Sequence, residues 1–315
     1  MQRLIRHILI ILTMASILPS GVLFASKGSR TGELERVEKT YADMKDSIAA
    51  IVADVPGEIG VAVIVNGKDT VTVNDADRYP LMSVFKLHQA VALCHWMHER
   101  GMPLDTTIRI DRDDLDHDTW SPMLKENTAS FFNLTVRDLL EYALIQSDNN
   151  ASNLLYDRFA SVAETDSFIT TLLPAGGFRI AVSEADMKKD HQLAYANHSS
   201  ALSTAMLMDR LFNDSTIDSE NQAFICDALR RCKTGTDRIS APFAGMGDVV
   251  IAHKTGSGYV NSRGELVAHN DAAHITLPDG NSYTIVVFVK DFAGDERAAS
   301  GIISRISRTA YDFLR

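Results

Sequence analysis

Tyr79-Pro80-Leu81-Met82-Ser83-Val84-Phe85-Lys86 is where the chain changes character. Before it, Ile59 to Val65 is rich in β-branched residues and Asn66-Gly67 follows, with Asp69 to Val73 returning, which predicts a strand, a tight turn and a second strand. After it, a helix-compatible run extends unbroken to Met97, and the Pro three positions ahead of Ser83 predicts a helix opening at that serine. On a helix, residues three apart share a face, so the Lys86 amine can reach the Ser83 hydroxyl. Val84, Leu87, Val91 and Cys94 form an apolar stripe, with Ser83 and Lys86 along its edge. An amine that loses water there becomes a readier proton acceptor, and free N–H groups at a helix start favour a developing oxyanion. Taken alone, the same four residues more often describe a capping serine beside a snorkelling lysine.

From about Pro80 to Gly235 the pattern stays helical, with Thr135 as an N-cap ahead of inward-facing Leu139, Leu140, Ala143 and Leu144. The polar stretch from Pro174 to Asn197 is expected to be a long irregular loop. Strands return as Val249 to His253, Ala272 to Leu277 and Tyr283 to Lys290, and Ile302, Ile306, Thr309 and Phe313 mark a closing helix. At the other end, Val37, Tyr41, Met44, Ile48 and Ile51 recur at helical spacing. This order predicts an α/β (α+β) fold: an antiparallel five-stranded sheet flanked by terminal helices, plus a large all-helical subdomain. Residues 26–315 are expected to form one domain, with 26–79 and 236–315 as the sheet part and 80–235 as the helical part.

Arg3, Arg6 and His7 precede an apolar run from Ile8 to Leu18, too short to span a bilayer and matching a secretory leader that ends near Ala25. The net charge is −10, and loss of Arg3 and Arg6 with residues 1–25 makes it −12. Such acidity argues against nucleic acid as a partner. A periplasmic or secreted monomer without stable membrane association is expected. Cys226 and Cys232, six residues apart, would sit about 9 Å from each other on a helix, beyond disulfide reach. With Cys94 on the apolar stripe, neither a disulfide nor a metal site is expected.

Three further features bear on Ser83. Ser147-Asp148-Asn149 follows the Thr135–Gln146 helix and offers a hydroxyl beside an amide. Lys254-Thr255-Gly256-Ser257-Gly258 follows the strand at Val249, where alternate side chains can face one cleft. A second copy, Lys233-Thr234-Gly235, follows helical residues and reads as a helix end with a glycine cap. Glu184, in the expected loop, is a candidate general base for water.

Ser-x-x-Lys, Ser-Asp-Asn, a loop Glu and Lys-Thr-Gly, in this order, resemble the class A serine β-lactamases, for which the three Ser/Lys motifs are a known signature. Gly57-Glu58-Ile59-Gly60-Val61-Ala62-Val63, Thr119-Trp120-Ser121-Pro122-Met123-Leu124 and Ser147-Asp148-Asn149-Asn150-Ala151-Ser152-Asn153 are most similar to the CfxA-type and PER-type cephalosporinase branch. The resemblance implies hydrolysis of a small-molecule β-lactam without a cofactor. It implies Ser83 as nucleophile, Lys86 as its partner, Ser147 as proton donor to the departing nitrogen and Glu184 as deacylation base. It also implies Asn149, Lys254, Thr255, Ser257 and Arg238 as substrate contacts, Trp120 as a cleft wall or a core residue, and the N–H groups of Ser83 and Ser257 as oxyanion hole. Lys86 and Glu184 both remain candidates for the acylation base. Val182 and Asn197 stand where many relatives carry an Arg–Asp ion pair, which implies a differently folded, roomier loop. Lys188 stands where many have an Asn beside the deacylating water. A D-Ala-D-Ala peptidase, a β-lactam sensor and a serine amidase are the competing readings; a base at Glu184 argues against the peptidase.

Overall fold

In strand β1 (Glu58–Val65), every residue from Ile59 onward is buried. Ile59, Val61, Val63 and Val65 enter a core with Met44, Ile48, Ile303 and Ile306, while Ala62 and Ile64 face a second core that extends through the helical part. A strand covered on both faces has no polar side to show, hence the continuous apolar run. The computed structural model describes residues 27–75, 78–174 and 176–315, so the leader expected over 1–25 lies outside them. Two compact units are distinguished, one ending at Lys39 and one from Thr40 to Arg315. The described residues of the first belong to α1 (Lys27–Val52).

At the turn between β1 and β2 (Asp69–Val73), Asn66 and Gly67 have φ of +50° and +66°, the pair of left-handed positions of a type I′ hairpin. β3 (Tyr79–Pro80) and a 3-10 turn (Met82–Val84) lead into α2 (Phe85–Glu99). Next come β4 (Thr107–Asp111), α3 (Pro122–Glu126), β5 (Phe131–Thr135), α4 (Val136–Ile145), α5 (Asn149–Arg158) and α6 (Val162–Leu172). They are followed by β6 (Phe178–Arg179), α7 (Glu184–Lys189), a 3-10 segment (His191–Ala196), β7 (His198–Ser199), α8 (Ala201–Asn213) and α9 (Ser219–Arg230). β8 (Val250–Ser257), β9 (Leu266–Thr276), β10 (Ser282–Phe292) and α10 (Glu296–Leu314) complete the chain.

The five-stranded sheet runs β2-β1-β10-β9-β8, antiparallel throughout, as the sequence predicts. α10 packs on β9 and β10, and α8 on β1 and β10. No described helix is long and apolar enough to cross a membrane.

Four local expectations are corrected. Ser83 lies in the 3-10 turn, just before α2 starts. α2 is not amphipathic: all its residues from Phe85 to Cys94 are buried, Lys86 included. The stretch from Pro174 to Asn197 carries β6, α7 and a 3-10 segment, with Ser183 and Asp186 forming a reciprocal cap for α7. The helical part also holds short strands, among them the β4–β5 pair.

Two devices hold the Ser83 turn against the sheet. Asn270 on β9 donates its side-chain amide to the Pro80 and Leu81 carbonyls, 2.6 and 3.2 Å away, and accepts from the Val289 N–H. Gly256 on β8 passes so close that a Cβ there would sit 2.5 Å from the Leu81 carbonyl oxygen. Only glycine permits that approach.

Candidate active site

A cleft of about 590 Å³ separates the sheet edge from the helical part, and Ser83, Ser147, Asn149 and Glu184 line it together with Thr255 and Ser257. Ser83 follows Met82, which is held at φ +44°. Non-glycine residues in this region store strain, a recurrent mark of functional sites. Ser83 Oγ donates to Glu184 Oε1 at 3.0 Å and accepts from Lys86 Nζ at 3.0 Å. Lys86 is 1% exposed. A buried ammonium needs oxygens around it, and four are present: Ser83 Oγ, the Ser147 carbonyl at 2.9 Å, Asn149 Oδ1 at 2.7 Å and Glu184 Oε1 at 2.8 Å. A cation and a carboxylate thus meet around the Ser83 hydroxyl.

Ser147 has φ +60° and turns its hydroxyl to Lys254 Nζ at 2.9 Å. Lys254 is fully buried on β8, and burial followed by the charge of Lys86 pushes its amine down to about 7. The two lysines therefore hold the same serine, one at its carbonyl and one at its hydroxyl. Asp148 between the site residues acts as an anchor: it caps α5 and accepts from the Met123 N–H at 2.7 Å and from the Ser121 hydroxyl. Burial raises its carboxyl above the ordinary range despite those donors. Arg238 is buried beside β8 and donates to Ser257 Oγ at 2.6 Å and to the Gly256 and Asn270 carbonyls. The structure thus brings Arg238 to the cleft.

The dismissed copy of Lys-Thr-Gly belongs to the same wall. α9 ends at Arg230, before it, and Thr234 Oγ1 lies 2.5 Å from Thr255 Oγ1 at the cleft surface. Gly235 has φ +66°, and a Cβ there would meet Thr255 Cγ2 at 2.4 Å. Its role is close packing on β8, and it is no helix cap. Lys233 lines a different hollow, by Ile145 and Gln146.

Trp120 is 54% exposed and stands at the cleft, its indole N–H on the Gln146 carbonyl, which excludes a place in the core. Across the opening, His191 stacks on Tyr259 with ring centroids 4.0 Å apart. Asn149 donates to Thr119 Oγ1 at 3.0 Å, tying the Trp120 segment to α5.

Glu184 opens α7 instead of lying in irregular chain, and Asn153 of α5 accepts from the next N–H at 3.1 Å. The ends of this segment are closed without an ion pair. The buried Asn197 side chain accepts from the Ala181 and Val182 N–H groups at 2.7 and 3.0 Å and donates to the Val182 carbonyl at 2.9 Å. Its own carbonyl accepts from the Leu81 N–H, so the same residue steadies the approach to Ser83. Lys188 turns to the opposite wall, where Nζ contacts both Asp116 carboxylate oxygens at 2.7 and 2.6 Å and the Asp118 carbonyl at 2.6 Å.

Comparison with known proteins agrees with this geometry. The family described as "Beta-lactamase enzyme family" matches residues 43–314. A β-lactamase of Phocaeicola vulgatus is 56% identical over 271 residues, covering 86% of this chain and 84% of that one. The extended-spectrum β-lactamase PER-1 of Pseudomonas aeruginosa is 30% identical over 274 residues, covering 86% and 87% of the two chains. A solved class A β-lactamase from Bacteroides cellulosilyticus superposes with a TM-score of 0.82 at 26% identity, over 87% of this chain and 98% of that one. With a family match across nearly the whole described length and close relatives over the same span, the chain belongs to the β-lactamase enzyme family, among its class A hydrolases of the β-lactam amide bond.

Proposed function

We propose that the cleft opens the ring of cephalosporins by acylating Ser83, and that Glu184 then activates the water that frees the product. The observation that carries this reading is one carboxylate oxygen, Glu184 Oε1, placed 3.0 Å from Ser83 Oγ and 2.8 Å from Lys86 Nζ. Ser83 Oγ attacks the lactam carbonyl carbon while its proton passes to the Lys86–Glu184 pair. The N–H groups of Ser83 and Ser257 receive the oxyanion, and one such donor is worth roughly 10²–10³ in rate. The ring C–N bond breaks, and Ser147 gives its proton to the nitrogen with Lys254 behind it, while the proton held by the Lys86–Glu184 pair replaces it and leaves Glu184 free again. Lys254, Thr255, Ser257 and Arg238 grip the substrate carboxylate, Asn149 binds the acylamino group, and Trp120 forms the facing wall. Water then attacks the acyl carbon, Glu184 takes its proton, and the acyl C–O bond breaks as that proton returns to Ser83 Oγ. The preference for cephalosporins follows the resemblance to the CfxA-type and PER-type branch. Residues 1–25 act as an export leader, and the remainder works in the periplasm or outside the cell as a monomer.

The test is turnover of a chromogenic cephalosporin and of a penicillin by the purified 26–315 chain, with mass spectra taken during and after reaction. Expected are higher kcat/KM on the cephalosporin and no lasting adduct. A lasting adduct without turnover would give the site to a peptidase or a sensor.

Lys188 provides a separate check on the segment that carries Glu184. Lys188→Gln removes the clamp to Asp116 and is expected to lower kcat/KM roughly threefold to tenfold through looser placement of Glu184. Because the pair is half-exposed, rising salt should bring wild type towards the variant. Equal salt profiles for the two proteins would remove the clamp from the account.

A further inference from the structure

Two edges of the cleft are joined at a residue that takes no part in the steps above. On one edge, the 3-10 segment after α7 carries His191 and, further along, Tyr195. On the other, the turn between β8 and β9 carries Tyr259, then Asn261 and Arg263. Tyr195 donates its hydroxyl to Asp291 Oδ1. Asn261 Nδ2 reaches the same oxygen at 3.5 Å, and Arg263 lies 3.6 Å from Asp291 Oδ2. One carboxylate near the end of β10 thus holds both edges.

Asp291 sits between Lys290 and Phe292, which pair with Ala268 and Leu266 of β9, yet its φ is +47°. A non-glycine residue keeps that conformation only where its surroundings fix it, and the contacts to both edges supply such a frame. The turn is also braced within itself. Asn261 Oδ1 accepts from the Arg263 and Glu265 N–H groups at 2.9 and 3.1 Å, and the Tyr259 carbonyl accepts from the Val267 N–H at 2.9 Å. The position of Asn261 therefore fixes that of Tyr259. His191 and Tyr259 line the cleft and stack on each other, so the two tethered edges touch at their tips. The Tyr259 hydroxyl is buried and makes no hydrogen bond among the described residues, so no polar contact of its own fixes the ring.

We infer that Asp291 is a positioning residue that clasps the α7 segment to the β8–β9 turn, holding the His191–Tyr259 pair closed so that the cleft selects β-lactams by the bulk of their acylamino group. The inference rests on the acylation of Ser83 proposed above and extends it to substrate choice. In that reaction Lys254 and Thr255 take the carboxylate end of the substrate and the Ser257 N–H takes the lactam carbonyl. Tyr259, next along the chain, stands towards the acylamino end, because that group is borne by the ring carbon bonded to the same carbonyl. A branched group must part the two rings, and parting them works against the Asp291 contacts. A compact group need not.

The test measures kcat and KM for two cephalosporins of one nucleus, one with an acetylamino group and one with a branched aromatic acylamino group. Asp291→Gly removes the carboxylate and suits the positive φ, and Tyr195→Phe removes one hydroxyl. Each is expected to raise kcat/KM for the branched relative to the compact substrate about threefold to tenfold, through a lower KM for the branched one. Asp291→Asn still accepts from Tyr195 and tolerates the same backbone, so its ratio should stay within about twofold of wild type. In a Tyr259→Ala background, where the pair is already open, Tyr195→Phe should add no further shift. A merely structural role would lower both substrates in parallel with the melting temperature. That parallel loss, an unchanged ratio in folded Asp291→Gly or Tyr195→Phe, a shift in Asp291→Asn as large as in Asp291→Gly, or a further shift on Tyr259→Ala would each overturn the inference. Should Asp291→Gly not fold, Tyr195→Phe decides. Turnover of neither cephalosporin by wild type would remove the reaction and the clasp together, whereas turnover with an unmoved ratio removes the clasp alone.

Discussion

Ser83→Ala is expected to lose turnover by roughly 10⁴–10⁶-fold, the range in which removal of a nucleophile leaves only binding and oxyanion stabilisation. Intact-mass spectra after incubation with a cephalosporin should show the unmodified protein alone. The fold should persist, because the atom removed lies at the cleft and the Lys86–Glu184 ion pair at 2.8 Å does not depend on it. Loss of the hydroxyl therefore isolates chemistry from stability. An adduct still forming on the alanine variant would place the nucleophile elsewhere.

Glu184→Gln has the second-largest expected effect, and a different signature. The amide keeps the shape of the side chain and can still accept from Ser83 and Lys86, but it cannot take a proton from water. Acylation should slow less than deacylation, so a covalent adduct should build up and persist in mass spectra while kcat falls roughly 10²–10⁴-fold. The variant should also melt earlier, since Lys86 is fully buried and loses its only carboxylate contact among the described residues. Wild-type kcat in this variant would mean that the deacylating base lies elsewhere in the cleft.

What the sequence made legible was whatever carried a spacing or a composition with a mechanical reason. β-Branched runs and Asn66-Gly67 gave the sheet and its first hairpin. The positions of Ser83, Lys86, Ser147 and Lys254 followed from short motifs whose meaning lies in their order. Single residues that act through burial stayed hidden. Asn197 and Asn270 look like ordinary surface asparagines in the sequence, yet their amides close the Glu184 segment and pin the Ser83 turn. The apolar stripe puts Lys86 at a half-buried helix edge, and only its four oxygen neighbours explain a fully buried one. Thr234 was misread because its Lys-Thr-Gly follows a helix. The helix opened by Glu184 was missed even though Ser183 and Asp186 spell a capping box, because the polar composition around them suggested open loop.

The order of strands in the sheet has a consequence in time. β1 pairs with β10, so Glu58 must find Lys290 across nearly the whole chain, and β8, which carries Lys254, joins the sheet through β9. Contacts so remote in sequence form slowly, since a large loop must close before any of them is gained. During synthesis β1 and β2 emerge early and wait with an unpaired apolar edge, a template for pairing with other chains. The cleft cannot assemble until the last strands have left the ribosome, so a chain interrupted before β10 is both inactive and prone to aggregate.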